Sequence, residues 1–140
     1  MWIILLVIVL AIVIQISSVI GIEYYQYKKN EKQLLSFKMA APARRTLVVY
    51  FSRSGNTELM AYQIAELTNA IVMNLEADDY KIGYKGWINA MLDARKQHAF
   101  ISPEKMDLSG YDTIYIGAPI WLYSPAPPIY EFVGNLSKIS

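Results

Sequence analysis

Cysteine is absent from the 140 residues. That excludes a disulfide framework, thiolate metal ligands and a cysteine nucleophile, including the cysteine-based phosphate loops of small phosphatases. Histidine occurs once, as His98. Without a partner cluster it makes no metal site, and at a predicted helix end it reads as a solvated or dipole-compensating side chain. Asp78 and Asp79 are adjacent, so spacing alone does not make them a facing acid/base pair. Charge of one sign is lacking too, with a net formal value of +1. Lys28, Lys29, Lys32, Lys38, Arg44 and Arg45 gather near one apolar segment, and the chain from Thr46 onward carries an excess of acid. This distribution points away from nucleic-acid binding.

The most conspicuous local absence is of charge between Trp2 and Ile22, where Gln15, Ser17 and Ser18 are the only polar side chains. Twenty-one helical residues span about 30 Å, the thickness of a bilayer's hydrocarbon core. Tyr24, Tyr25 and Tyr27 supply an interfacial aromatic belt, with Lys28 and Lys29 directly after it. With no Lys or Arg before the segment, the positive-inside rule places its C-terminal side in the cytoplasm, as a single-pass protein of the cell membrane. A cleaved signal peptide calls for a basic start and a nearby small-residue site, whereas Ala40-Ala41-Pro42-Ala43 lies far downstream. A buried core helix rarely lacks charge for this length. The expected organisation is an anchor over 1–23, a tether over 24–45 containing a short helix stopped by Pro42, and a folded domain over 46–140.

That domain opens with the apolar run Thr46–Val49 and passes into Tyr50-Phe51-Ser52-Arg53-Ser54-Gly55-Asn56-Thr57 before an amphipathic segment. A buried strand that breaks into small hydroxyl residues around a glycine, then a helix, is how α/β proteins cradle phosphate: first-turn N–H groups face outward and the helix dipole favours an anion. Ser52, Ser54 and Thr57 add hydroxyl donors, Asn56 adds an amide, and Gly55 permits a backbone turn closed to residues with Cβ. Ordinary helix capping also uses Ser, Asn and Thr, but needs fewer of them.

Ser-Arg-Ser-Gly-Asn-Thr after a first strand resembles the [ST]-x-[ST]-G-N-T signature of flavodoxins. Thr113-Ile114-Tyr115-Ile116-Gly117-Ala118-Pro119-Ile120-Trp121 is similar to the strand and loop in which G-[ST]-P-x-W sets an aromatic beside the flavin ring. Ala118 stands where that pattern carries a hydroxyl residue. The resemblance runs from Thr46 to the end of the sequence, and two motifs in the right order are more specific than either alone. It implies a flavodoxin-like α/β fold, a three-layer parallel sheet of strand order 2-1-3, with FMN at the switch point between the first and third strands. It further implies cofactor contacts from Ser52, Arg53, Ser54, Gly55, Asn56, Thr57, Ala118, Pro119, Ile120 and Trp121, and no catalytic side chain.

Periodicity assigns helices to about Glu58–Asn69, Lys85–Gln97 and Pro127–Leu136, and strands to Leu47–Phe51, Ile71–Glu76 and Thr113–Gly117. In the helix over Lys85–Gln97, Trp87, Ile88, Met91 and Leu92 share a face. Strand–helix alternation demands parallel pairing with right-handed crossovers. The family pattern continues with two further strands, so the sequence reads as an incomplete domain: a fragment, or one completed in trans by a partner chain. The leading expectation is a membrane-anchored FMN protein exchanging electrons with redox partner proteins, membrane-bound ones among them. A flavin-dependent NAD(P)H:quinone-type reductase and a non-catalytic partial domain are the alternatives.

Overall fold

The computed structural model of the protein describes residues 1–37 and 45–136, so Pro42 lies outside the described residues. Helix α1 (Trp2–Leu34) runs without a break through the point where sequence divides anchor from tether. Met1–Gln15 are exposed throughout, whereas Ile16, Ile20, Glu23, Gln26, Asn30 and Leu34 turn one half-buried or buried stripe toward the rest of the protein. Those positions recur at three- and four-residue steps, the spacing of one helical face.

The domain alternates β1 (Thr46–Tyr50), α2 (Asn56–Thr68), β2 (Ile71–Asn74), a 3-10 turn (Asp78–Tyr80), α3 (Tyr84–Asp93) and β3 (Thr113–Gly117). A hairpin of β4 (Ile120–Trp121) and β5 (Ser124–Pro125) then leads to α4 (Pro127–Leu136). The sheet is parallel with order β2-β1-β3, Leu47 lying opposite Ile71 on one side and Ile114 on the other. This is the α/β arrangement expected from the sequence.

Because side chains alternate along a strand, β1 serves two layers. Val48 and Tyr50 pack with Ala61 and Ala65 of α2, while Leu47, Val49 and Phe51 pack with Ala90 of α3 and Ile129 and Phe132 of α4. Helix α2 ends where Asn69 takes φ 51° and its N–H reaches the Ala65 carbonyl, a left-handed cap that Asn tolerates.

Some boundaries differ from the sequence expectation. Strand β2 stops at Asn74 because Glu76 forms an antiparallel bridge with Ser102, exchanging two N–H···O bonds of 2.9 Å. Helix α3 stops at Asp93, short of Gln97, where Lys96 N–H turns back to the Asp93 carbonyl at 2.8 Å. The shared face of Trp87, Ile88, Met91 and Leu92 is the outer one of α3. The helix buries its small residues, Gly86, Ala90 and, just beyond the helix, Ala94, and leaves Ile88, Met91 and Leu92 exposed.

Candidate functional site

The loop after β1 is held by its own hydroxyls. Gly55 sits at φ 80°, ψ −3° as the residue before α2, and its N–H donates to Ser52 Oγ at 3.1 Å. Asn56 Nδ2 donates to Ser54 Oγ at 3.2 Å. Both serine hydroxyls act as acceptors inside the turn, so each retains its proton for a ligand. The first-turn N–H groups of α2 have no intrahelical acceptors, and together with the dipole they form a site for an anion. Glu58 of that turn accepts from Tyr50 Oη at 2.9 Å, and burial together with this carboxylate pushes the Tyr50 phenol well above its ordinary range.

Strand β3 brings the second motif to the first. Phe51 N–H donates to the Gly117 carbonyl at 3.0 Å. A Cβ on Gly117 would lie 3.1 Å from Thr57 Cγ2 and 3.3 Å from Tyr50 Cβ, so glycine here lets the start of α2 close onto the end of β3. Beyond it, Ala118 packs on the core, the Pro119 carbonyl accepts from Ala126 N–H at 3.0 Å, and Ile120 is exposed. Trp121 is half-buried and edge-on, its ring 5.8 Å from Phe51 and 5.1 Å from Tyr80. It lines a small cavity with Glu23 and Arg53. The hairpin tip beyond it holds Leu122 at φ 45° and Tyr123 at φ 67°, a pair of left-handed residues as hairpin turns require.

Arg53 points away from the loop. Its Nε donates to the Tyr80 carbonyl at 2.9 Å and its Nη1 to Glu23 Oε1 at 2.8 Å, with only 6% of the side chain exposed. Burial lowers the Arg53 pKa, opposed by the Glu23 charge. Arg53 Nη2 and Glu23 Oε2 are buried without a hydrogen-bond partner among the described residues. Both residues line a cavity of about 220 Å³ with Trp87, Met91, Trp121 and Leu122. A larger cleft of about 790 Å³ adjoins the loop at Ser52 and Arg53, bounded by Ile20, Tyr24 and Tyr27 of α1 and by Tyr80.

Sequence reasoning missed the contribution of α1. Asn30, 5% exposed, donates through Nδ2 to the Ser54 carbonyl at 2.7 Å and to Asn56 Oδ1 at 2.9 Å. Gln26 Oε1 accepts from Asn56 Nδ2 at 3.4 Å. The available signal was the polar series Glu23, Gln26 and Asn30 recurring on one helical face. By contrast His98 is exposed, 3.1 Å from the Glu131 carboxylate, and Asp78 pairs with Lys81 in solvent. Among the described residues no group of His, Cys, Asp or Glu is arranged to hold a metal.

Gly55→Ala is expected to lower stability by about 2 kcal/mol, since a left-handed residue with Cβ costs roughly 1–2 kcal/mol and the new atom would meet Asn30 Cβ at 2.8 Å. Thermal melting of the detergent-solubilised chain checks this, and an unchanged midpoint would contradict the seating of Asn30 over the glycine.

A profile of the family described as flavodoxin matches residues 45–137. No curated protein and no solved structure matches the chain.

Proposed function

The chain belongs to the flavodoxin family, and from that premise we propose that it binds FMN and carries electrons while tethered to a membrane by α1. The observation that carries this reading is the loop Ser52–Thr57: a left-handed glycine, two inward-accepting serines and a helix start, closed against Gly117 of β3. These residues fit a phosphate monoester, because backbone N–H groups, the dipole and the remaining hydroxyl protons all favour a dianion. Ala118, Pro119 and Ile120, at the end of β3, are the proposed contacts toward the ring, with Trp121 behind them. The flavin, when bound, supplies the redox chemistry, and the chain binds, orients and shields it. No side chain is assigned as acid, base or nucleophile.

The acidic balance of the domain would oppose negative charge on the reduced flavin ring and attract a basic redox partner. Helix α1 is long and apolar enough to cross a membrane. The proposed placement is a single span in the cell membrane with the domain on the cytoplasmic side, which keeps encounters with membrane-bound redox partners in two dimensions. The test is FMN titration of the detergent-purified full chain, read by flavin absorption and by quenching of flavin fluorescence. Stoichiometric uptake, weakened at least tenfold by Ser54→Ala with Thr57→Val (each lost charge-assisted bond being worth roughly 1.5–3 kcal/mol), is the expected result. A colourless protein that ignores added FMN overturns the proposal.

A further inference from the structure

Helix α3 presents its large apolar side chains to the outside. Tyr84, Ile88, Met91 and Leu92 are exposed, Leu92 to 74%, while the buried face is Gly86 and Ala90. The exposed positions keep helical spacing, so they form one continuous stripe. Lys85 and Arg95 border it, both exposed. The hairpin tip extends the patch: Met91 and Leu122 line the same small cavity, and Tyr123 beside Leu122 is 99% exposed. An ordinary surface helix does the reverse, turning such residues to the core.

The position of α3 identifies what covers this face. Tyr84 Oη lies 2.6 Å from Ser17 Oγ, and Ser17 belongs to the uncharged run of α1. Ser17 is six helical residues, about 9 Å, on the membrane side of Glu23. It also lies five residues, about 7.5 Å, inside Ile22, so the Tyr84 hydroxyl is held within the hydrocarbon end of the span and draws the first turn of α3 to the bilayer boundary. An apolar stripe with basic borders at that depth matches an interfacial helix, and Lys28 and Lys29 of α1 lie on the same side of the span.

We propose that α3 and the β4–β5 tip form a second membrane-contacting surface, which lays the domain against the inner leaflet of a bilayer containing anionic lipid. The proposal rests on α1 being a membrane span. Anchored in this way at two places, the domain keeps a fixed face toward the lipid instead of swinging on a tether. The apolar side chains enter the acyl boundary, and Lys85 and Arg95 reach lipid phosphates.

Since the chain has no cysteine, single substitutions give unique labelling sites. The full chain is reconstituted in nanodiscs of phosphatidylcholine with phosphatidylglycerol, carrying a fluorophore at Leu92→Cys, at Ile8→Cys within the span, or at Glu66→Cys on α2. Lipid-borne nitroxides are expected to quench the probes at 8 and 92 several-fold more than the one at 66, while aqueous iodide quenches chiefly position 66. Lys85→Gln with Arg95→Gln should weaken the contact at 92 about fivefold for each charge in anionic discs and leave position 8 unchanged. A probe at 92 open to iodide while position 8 is lipid-quenched overturns the proposal and leaves the span intact. Position 92 shielded from both quenchers indicates a protein partner on this face and overturns it equally. Neither position reached by lipid quencher means that the span itself fails, and the proposal with it.

Discussion

Gly86→Ala is expected to destabilise the domain by about 3 kcal/mol, near the upper end for overpacking, and to lower its melting temperature by roughly 12–24 °C. Two effects oppose each other at this position. Alanine is the better helix former by about 1 kcal/mol in a helix interior, and the propensity alone would make the variant more stable. The site decides otherwise, because an ideal Cβ would collide with the Lys81 carbonyl oxygen and stand 2.9 Å from the backbone carbons of Lys81 and Tyr80. Those atoms are main chain and have no rotamer in which to withdraw. Relief requires α3 to move off the 3-10 turn. That movement endangers the Asn89 Nδ2 bond to the Asp79 carbonyl, the Tyr80 Oη bond to Asp93, and the Tyr80 carbonyl that receives Arg53. Thermal melting of the full chain in detergent, tracked by near-ultraviolet dichroism of the Phe51–Tyr80–Trp121 cluster, provides the measurement. A midpoint equal to or above that of the wild type would show that α3 does not sit this close.

The same glycine shows what the sequence left open about α3. Periodicity groups Trp87, Ile88, Met91 and Leu92 on one face, but it does not say whether that face meets the core or the outside. The close packing here is done by Gly86 and Ala90, which carry almost no hydropathy signal, while Ile88, Met91 and Leu92 are left outside and Trp87 is half-buried. Where large side chains do make the core, the reading was direct. The β-branched and aromatic run of β1 is buried on both sides, and Pro127 begins α4 with Ile129 and Phe132 inward. The loop Ser52–Thr57 was legible because its chemistry is local: the glycine, the hydroxyls and the helix start are consecutive in the chain. The seat of α1 was not, because Asn30 and Ser54 are joined by geometry that arises only when the domain has folded. The orientation of Trp121, edge-on to Phe51 and Tyr80, is likewise a product of tertiary packing.

Glu23→Ala is expected to have the largest effect on that seat, about 3–5 kcal/mol, the range for removing one partner of a buried ion pair. With Arg53 only 6% and Glu23 21% exposed, the guanidinium would lose its nearest anion while remaining out of water. The Tyr80 carbonyl still accepts from Nε, but it carries no charge, and Nη2 already has no partner among the described residues. The loss is bounded by the strength of the seat itself, since an α1 that swings away lets Arg53 reach solvent. Release of α1 is therefore the expected outcome, and it exposes the loop. Amide hydrogen exchange at Ser54–Glu58 should accelerate along with the fall in melting temperature, because Asn30 leaves together with Glu23. Arg53→Met in the same chain removes the stranded charge, so Glu23→Leu with Arg53→Met should recover most of the loss. A double-mutant cycle supplies the decisive number. Coupling of several kcal/mol means that the pair is formed and buried, whereas additivity within about 0.5 kcal/mol would mean that Glu23 and Arg53 do not hold α1 to the loop.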